Sequence, residues 1–213
     1  MSVRATNGKM VLSGCRWLVF DAVGTLIRPN PPVADAYHSI ARRFGTRFNV
    51  VEVGERFRSA FGRSEQIAFP GGPTAANLCV SSDGIEIARW RWIVAQVFPD
   101  VVDAERCFTE LWDHFSRPSS WSCFDDVGGS LRSLAALGYR LAIASNFDSR
   151  LHRVCEGHSE LTPIERIFVS SETGFRKPAS GFYSSVISGV GCRADEILMV
   201  GDDPEHDVLG PIA

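Results

Sequence analysis

The chain of 213 residues is 45% hydrophobic and 22% charged, with a formal net charge of −3, as is typical of a globular protein with a sizeable core. A mildly acidic chain without a basic stripe argues against nucleic acid as the main partner. The apolar runs are too short to cross a bilayer, no secretory segment opens the chain, and six scattered cysteines without a CxxC pair favour reduced thiols in the cytoplasm.

The first part of the chain places an acidic residue after an apolar run. Residues 1–14 show no periodicity and are predicted to be a disordered leader. The apolar run from Trp17 to Phe20 predicts a strand buried on both faces. It ends at Asp21, and Gly24-Thr25 then turn the chain. Such an aspartate is exposed to ligands at the edge of a doubly wound sheet, although the same residue type also simply begins turns.

Four helical segments are predicted next, from apolar spacing over 33–44, 50–61, 87–97 and 104–115. Three prolines within residues 28–32 are typical of a hinge and are expected to exclude a strand there. A Gly-, Pro-, Ser- and Asn-rich stretch at 62–84 predicts a functional or mobile loop. The aromatic side chains of these helices are interpreted as the core of a bundle. We therefore predict a helical domain inserted after the first strand.

The second half of the chain alternates strands and helices. Strands are predicted at 139–144, 167–169 and 197–200, with helices at 127–134, 151–154 and 182–190 and a loop at 171–178. This alternation predicts a parallel sheet with right-handed crossovers. The fold class is therefore α/β, a doubly wound, Rossmann-like parallel sheet that carries an inserted α-helical domain.

Polar residues follow four of the predicted strands and are expected to meet at one edge of the sheet. They are Asp21, Ser145-Asn146, the loop carrying Lys177, and Asp202-Asp203. Clustered carboxylates repel one another unless a cation or Lys177 neutralises them, and hard oxygen ligands favour Mg²⁺. A carboxylate at such an edge can attack phosphorus and form an acyl-phosphate.

The basic residues also single out Lys177. It is one of only two lysines beside twenty arginines. Because a lysine is a compact point charge and an arginine a broad fork, its retention favours a small pocket, and chance retention stays open as the simpler alternative.

These motifs resemble those of the haloacid dehalogenase-like (HAD) hydrolase superfamily, over the whole chain from about Cys15. The four motifs are Asp21-Ala22-Val23-Gly24-Thr25-Leu26, then Ser145-Asn146, then Lys177-Pro178, and finally Gly201-Asp202-Asp203 with Asp207. The resemblance implies a core domain formed by residues 15–30 and 119–213. It also implies that residues 31–118 form a helical cap, which closes over the site and brings contacts to the substrate.

The resemblance also implies roles for these residues in the hydrolysis of a small phosphorylated molecule. Asp21 would be the nucleophile, Lys177 would neutralise the nucleophile and the phosphate, and Ser145 and Asn146 would hold the phosphoryl oxygens. The implied Mg²⁺ ligands are Asp21, the backbone carbonyl of Val23, Asp202, Asp203 and Asp207.

Simpler interpretations stay open for several residues near these motifs. Asp207 is also suited to cap the final helix, and Arg176 is interpreted as a solvated neighbour of Lys177. The five histidines show no pairing. His206 lies nearest the predicted site, and nothing in the sequence assigns it a role there.

Two departures from the family's pattern bear on activity. Phosphatases of the family carry a second aspartate two residues after the nucleophile, as general acid and base, and here that position is Val23. General acid–base help is worth on the order of 10²–10⁴ in rate. The sequence also ends at Ala213, where the family's pattern continues into a further helix and strand.

Three functional hypotheses follow from these observations. The first is a slow Mg²⁺-dependent phosphohydrolase acting through an aspartyl-phosphate on Asp21. The second is a weak or inert member that binds a phosphorylated ligand or a protein. The third is a 2-haloacid dehalogenase, because halide leaves without a proton and the dehalogenases of the family also lack the second aspartate. The oligomeric state and the identity of the substrate are not determined by the sequence.

Overall fold

The computed structural model describes residues 2–6, 9–69 and 79–212. The strands in these ranges are β1 (Ser2–Thr6), β2 (Lys9–Ser13), β3 (Trp17–Phe20), β4 (Ile27–Pro29), β5 (Trp121–Cys123), β6 (Arg140–Ser145), β7 (Arg166–Val169) and β8 (Ile197–Val200). The α-helices are α1 (Val33–Arg42), α2 (Val50–Ser64), α3 (Asp83–Val97), α4 (Ala104–Phe115), α5 (Val127–Ala136), α6 (Arg150–Glu156), α7 (Ser170–Thr173), α8 (Ser180–Val190) and α9 (Gly210–Ile212). A π-helical segment, Pro204–Leu209, precedes α9. None of the helices in the described ranges is long and apolar enough to cross a membrane.

The central sheet contains four parallel strands in the order β7-β6-β3-β8. β3 pairs with β6 on one side and with β8 on the other. The chain therefore builds the sheet outward in both directions from β3, and in such sheets ligands bind outside the carboxyl ends of the strands where the direction changes. Asp21 directly follows β3, so the fold places it at this point. The predicted α/β class with a parallel sheet is confirmed.

Helices cover both faces of the sheet, as an unbroken apolar strand requires. Leu18 and Phe20 of β3 belong to a hydrophobic cluster that includes Leu131 of α5 and Leu151 of α6. Trp17 and Val19 belong to a second cluster with side chains of α8. The alternation of side chains along β3 thus supplies one core to each face.

The helical insertion, α1–α4, has a hydrophobic cluster of its own. Tyr37, Val53, Ile93 and Leu111 contribute to it from one helix each. Local signals begin these helices: at the start of α2, Asn49 Oδ1 accepts hydrogen bonds from the backbone of Val51 and Glu52, which is a standard N-cap. The helices occupy the segment predicted to be inserted, and the bounds of that domain at 31 and 118 stay a prediction.

A short ribbon joins the two ends of the helical insertion, where the prolines were expected to exclude a strand. β4 pairs antiparallel with β5, from Ile27 opposite Cys123 to Pro29 opposite Trp121. That expectation was wrong because Pro29 lies at the end of a two-stranded ribbon. A proline lacks a backbone N–H, but at this position its absence does not interrupt the hydrogen bonds of a central strand. The chain entering α1 and the chain leaving α4 are therefore tied together.

Two predictions about loops need correction. The leader 1–14 was expected to be disordered, but β1 and β2 pair from Ser2 opposite Ser13 to Thr6 opposite Lys9. The sequence did carry a signal for this, because Asn7-Gly8 is a dipeptide that favours tight hairpin turns. The α7 turn, Ser170–Thr173, also overlaps the start of the loop predicted at 171–178. Of the loop predicted at 62–84, the part at 70–78 lies outside the described residues.

Candidate active site

Backbone pairing at the sheet edge brings the first and fourth motifs together. The backbone N–H of Asp21 donates to the carbonyl of Val200 at 2.8 Å, so β3 and β8 end side by side. The carboxylates of Asp21, Asp202 and Asp207 follow these two strands and have ligand oxygens within 4.8 Å of one another. We call these three residues the carboxylate cluster. Asp21 and Asp207 are buried, and Asp202 is exposed.

Lys177 lies between two members of the carboxylate cluster. Its Nζ donates to Asp21 Oδ1 at 2.8 Å and to Asp207 Oδ1 at 2.7 Å, and the side chain is only 2% exposed. The predicted proximity of Lys177 to Asp21 is therefore confirmed.

The amide of Asn146 holds the backbone of Lys177 from both sides. Its Oδ1 accepts from the Lys177 N–H at 2.7 Å, and its Nδ2 donates to the Lys177 carbonyl at 3.0 Å. The family resemblance implied that the Asn146 side chain holds phosphoryl oxygens. The structure shows that its side chain positions the lysine, while contact with a phosphoryl group stays a prediction. Ser145, at the end of β6, is buried, and its hydroxyl is among the groups that lower the pKa of Asp21.

The two other aspartates of the fourth motif have different surroundings. Asp203 is the residue that caps the following helical segment, because its Oδ1 accepts from the backbone of Glu205 at 2.9 Å and of His206 at 3.0 Å. It is therefore not part of the carboxylate cluster. Asp207 is 3% exposed and lies within that segment, so the capping role considered for it belongs to Asp203. His206 Nδ1 lies 3.3 Å from Asp203 Oδ2.

Two glycines allow the chain to pass close to these carboxylates. A Cβ on Gly24 would collide with the carboxylate of Asp202, and a Cβ on Gly201 would collide with that of Asp207. Gly24 also has a φ of +95°, which side-chain-bearing residues rarely adopt. Thr25 Oγ1 then donates to Asp202 Oδ1 at 3.3 Å. Glycine is thus required where the first motif meets the fourth.

The electrostatics of the carboxylate cluster favour an additional cation. Burial raises the pKa of Asp21, and the neighbouring Asp207 raises it further, while Lys177 and the Ser145 hydroxyl lower it. The balance is an elevated pKa, chiefly because Asp21 is buried. A positive charge placed among these oxygens favours the ionised carboxylate, and an all-oxygen donor set suits Mg²⁺. The residues present therefore fit that ion. Val23 lies two residues beyond Asp21, and its carbonyl as a ligand stays a prediction.

A second group of side chains has a different donor set. Ligand atoms of Cys123, His158 and Glu160 also lie within 4.8 Å of one another. Thiolate and imidazole ligands suit softer ions than Mg²⁺. This group therefore does not compete with the carboxylate cluster as the site of a magnesium ion.

A cavity of about 250 Å³ lies beside the cluster, between the helical insertion and the core. Val23 and Asn146 line it on the core side, and the aromatic rings of Tyr37, Phe61 and Trp90 line it on the other. From the sequence, the aromatic residues of these helices were interpreted as the core of a helical bundle. Trp90 does pack against the cluster of the insertion, but it also faces this cavity, a role that no pattern in the sequence indicated.

Ion pairs in which only Glu65 is exposed connect the insertion to the loop that carries Lys177. Arg176 Nη2 lies 3.0 Å from Glu65 Oε1, and Arg176 Nε lies 4.0 Å from Glu86 Oε1. Arg89 pairs with both glutamates. We call Glu65, Glu86, Arg89 and Arg176 the insertion–core ionic cluster. The interpretation of Arg176 as a solvated residue was wrong, because it is only 8% exposed.

Backbone contacts reinforce this junction. The Arg176 N–H donates to the Cys79 carbonyl, and the Ser81 N–H donates to the Gly174 carbonyl. Nearby, the carboxylate of Asp83 accepts from both the N–H and the hydroxyl of Ser149. The segment before α3 and the start of α3 therefore lie directly against the loops of the second and third motifs.

Comparison with known sequences gives a consistent result. A family model described as haloacid dehalogenase-like hydrolase matches residues 15–213. Haloacid dehalogenase-like hydrolase domain-containing protein 3 from Danio rerio is 26% identical over 201 residues, which cover 91% of this chain and 79% of that protein. Its Homo sapiens counterpart is 28% identical over 203 residues, covering 93% and 78%. A ribulose-1,5-bisphosphate 5-phosphatase from Halopiger xanaduensis is 32% identical over 90 residues, 42% of this chain and 38% of the other.

Solved structures with the same fold include two kinds of hydrolase. The L-2-haloacid dehalogenase from Xanthobacter autotrophicus superposes with a TM-score of 0.67 at 19% identity, covering 93% of this chain and 74% of that one. A HAD phosphatase from Thermococcus onnurineus gives 0.60 at 20% identity, covering 92% and 81%. At these identities the likeness shows the fold, and the chemistry has to be argued from the residues themselves.

Proposed function

The chain belongs to the haloacid dehalogenase-like hydrolases, and on that premise we propose that it is a Mg²⁺-dependent phosphohydrolase of a small phosphorylated molecule, with Asp21 as the nucleophile. One observation carries the proposal: the oxygens of Asp21, Asp202 and Asp207 lie within 4.8 Å of one another. Within the described part of the chain, Lys177 is the one cationic side chain that bonds to these carboxylates. This excess of negative charge suits a divalent cation and, through it, an anionic substrate.

Asp21, Asp202 and Asp207 are the side chains that would hold the ion. When bound, Mg²⁺ supplies Lewis-acid stabilisation of the charge that develops on the phosphoryl oxygens. The carboxylate of Asp21 attacks phosphorus, the ester oxygen leaves with its electron pair, and an aspartyl-phosphate remains. Water then attacks that phosphorus, loses a proton to solvent, and releases phosphate and the Asp21 carboxylate.

The neighbouring residues prepare Asp21 for this attack. Lys177, bonded to Asp21 at 2.8 Å, opposes the rise in pKa that burial causes and so favours the ionised nucleophile. The Ser145 hydroxyl also lowers the pKa of this carboxylate. Asn146 holds the backbone of Lys177, so we expect it to position the lysine.

Val23 limits the reaction. It stands where the phosphatases of the family have their general acid and base, and its side chain can neither donate nor accept a proton. Loss of such help is worth on the order of 10²–10⁴ in rate. We therefore expect slow turnover of alkyl phosphates, whose alkoxides require a proton as they leave, and relatively better turnover of aryl phosphates.

The experiment is to measure phosphate release with Mg²⁺ and with EDTA, and to trap the acyl-phosphate with borohydride or by acid quench of a ³²P-labelled substrate. Label on the wild type and none on Asp21→Asn is the expected result. Asp195→Asn is a matched control, because Asp195 forms an exposed ion pair with Arg193 away from the sheet edge. Rapid turnover with EDTA present, or label that persists on Asp21→Asn, would contradict the proposal.

A 2-haloacid dehalogenase is the second candidate, favoured by Val23 alone, because halide leaves without a proton. The carboxylate cluster weighs against it, since a 2-haloacid brings a further carboxylate toward three others. Halide release from 2-bromopropionate in EDTA distinguishes the two reactions. If neither reaction occurs while inorganic phosphate binds in the presence of Mg²⁺, the hypothesis of an inert ligand-binding member is favoured.

A further inference from the structure

The cavity between the insertion and the core is placed to receive the group that leaves phosphorus. A nucleophile attacks on the side opposite the leaving group, so a phosphate held at Asp21 directs its ester group away from that carboxylate. Val23, two residues after Asp21, and Asn146, the residue after Ser145, both line the cavity. Val23 is 36% exposed there. The cavity is therefore lined by near neighbours of Asp21 and Ser145 in the sequence, which makes it the candidate space for the leaving group of a phosphate bound at Asp21.

The walls of the cavity are rings in mutual contact. On the insertion side the ring centroids of Tyr37 and Phe57 are 5.0 Å apart, and those of Phe61 and Trp90 are 5.9 Å apart. On the core side those of Trp121 and Phe147 are 5.6 Å apart. Rings in such walls make edge-to-face and offset contacts with a further ring. The walls therefore suit a flat aromatic group.

The size of the cavity sets the size of that group. Its volume is about 250 Å³, whereas an apolar cavity of about 150 Å³ is large enough to bind benzene. One ring fits with room for substituents, or two fused rings fit closely.

The charged side chains at the cavity already have partners. Arg89 is 3% exposed and pairs with Glu86 and Glu65. Arg150 Nε and Nη2 each lie 2.7 Å from an oxygen of Asp148. A charged leaving group would lose its hydration without gaining an unpaired partner among these residues, which is unfavourable. The cavity therefore favours an uncharged group.

From this geometry, and resting on the proposed phosphatase activity, we propose that the substrate is the phosphate monoester of an uncharged aromatic alcohol or phenol with one or two rings. The ring lies in the aromatic cavity while the phosphate lies at Asp21. Asp21 displaces the ester oxygen, which departs with its electron pair and takes a proton from solvent. Val23 fits the same class, because a phenolate leaves without an acid and because the valine extends the apolar surface at the mouth of the cavity.

The first test separates recognition of the aromatic ring from the ease with which the alkoxide leaves phosphorus. Benzyl and ethyl phosphate both release alcohols of similar acidity, so a difference in kcat/KM reports on the cavity. We expect benzyl phosphate to be preferred at least about tenfold, since burying one ring is worth that much or more. We expect 4-carboxybenzyl phosphate to fall at least about tenfold below benzyl phosphate, because its charge enters an apolar wall. Equal kcat/KM for benzyl and ethyl phosphate would overturn the inference and leave the phosphatase proposal intact.

The second test uses variants of the cavity wall. Phe61→Ala removes a half-exposed ring from α2 and is expected to lower the benzyl preference by about tenfold. Val51→Ala is the matched control, because Val51 is on the same helix and 66% exposed. If Phe61→Ala does not fold, Val33→Phe is the alternative test, because a larger side chain at this lining position fills part of the cavity, and it is expected to lower the preference similarly. A preference that survives both substitutions would overturn the inference.

The third test does not depend on turnover. Calorimetric titration with 2-naphthol measures binding of an uncharged ring to wild type, Phe61→Ala and Val51→Ala. Binding that only Phe61→Ala weakens supports the cavity as an aromatic site. If this result accompanies no hydrolysis of any phosphate, the phosphatase proposal fails while the aromatic ligand class stands. No binding of 2-naphthol to the wild type would overturn the inference.

Discussion

Two largely buried groups of charges meet at the loop that carries Arg176 and Lys177, and they differ in their balance of charge. In the insertion–core ionic cluster, two arginines face two glutamates. In the carboxylate cluster, three aspartates share the single ammonium of Lys177. Arg176 and Lys177 are neighbours in one loop, yet Arg176 belongs to a group without net charge and Lys177 to a strongly negative one.

The difference separates a structural junction from a binding site. A balanced and hydrogen-bonded buried group is satisfied within the protein, and removing one partner leaves a charge uncompensated. An unbalanced group is satisfied only when a ligand supplies the missing charge, and in the carboxylate cluster Asp207 adds to the rise in the pKa of Asp21 that burial causes. Four measurements test this distinction.

The largest effect is expected from the unbalanced cluster itself. Asp21→Asn keeps the shape of the side chain and removes the nucleophile, so it should lower kcat for any phosphate ester by at least about 10⁴-fold. Steady-state phosphate release at saturating Mg²⁺ measures this. Residual activity within tenfold of the wild type would show that another group attacks phosphorus.

A substitution in the insertion–core ionic cluster should lower the free energy of unfolding. Glu86 is 3% exposed, and Glu86→Gln leaves two arginines facing one carboxylate, so we expect a loss of about 3 kcal/mol in unfolding free energy. Urea denaturation measures it. Glu105→Gln is the control, because Glu105 forms an exposed pair with Arg91 and should cost less than about 0.5 kcal/mol. Equal losses from the two substitutions would remove the distinction between a buried junction and a surface pair.

Adding a carboxylate beside the unbalanced cluster should restore acid–base chemistry. Val23→Asp places a proton donor two residues after the nucleophile, and it should raise ethyl phosphate hydrolysis by up to about 10²-fold. Phenyl phosphate should gain less, because phenolate needs less help. If the wild type is already fast on ethyl phosphate and Val23→Asp changes neither rate, another residue supplies the proton.

The smallest effect is the stabilisation by the ion. At ten times its dissociation constant, Mg²⁺ should stabilise the wild type by about 1.4 kcal/mol, because it binds the folded state alone. Asp202→Asn should reduce this stabilisation, whereas Glu86→Gln should keep it, since that residue belongs to the balanced group. Thermal unfolding with and without Mg²⁺ measures both. Full stabilisation of Asp202→Asn would place the ion elsewhere.

Local patterns in the sequence determined much of the fold. The apolar run before Asp21 predicted a strand with two buried faces, and β3 does supply a core to each face. The alternation in the second half predicted the parallel sheet, which the pairing of β3, β6, β7 and β8 confirms. These predictions succeed because side-chain period and burial are properties of a short segment.

The meeting of Asp21, Lys177 and Asp202 also followed from the sequence. Once the strands are parallel, their carboxyl ends must lie at one edge. The family's motifs then identified which polar residues to expect there. The different surroundings of Asp203 and Asp207 did not follow, because they depend on which carboxylate the helical turn after β8 directs inward.

Contacts between distant segments were decided by the tertiary structure alone. Arg176 is separated from its partner Glu65 by 111 positions, and no spacing rule connects them. The ribbon of β4 and β5 and the aromatic cavity likewise join residues from both ends of the insertion and from the core. Periodicity reports which side of a segment is buried, but not what buries it, so the partners of these side chains appear only when the helices are docked on the sheet.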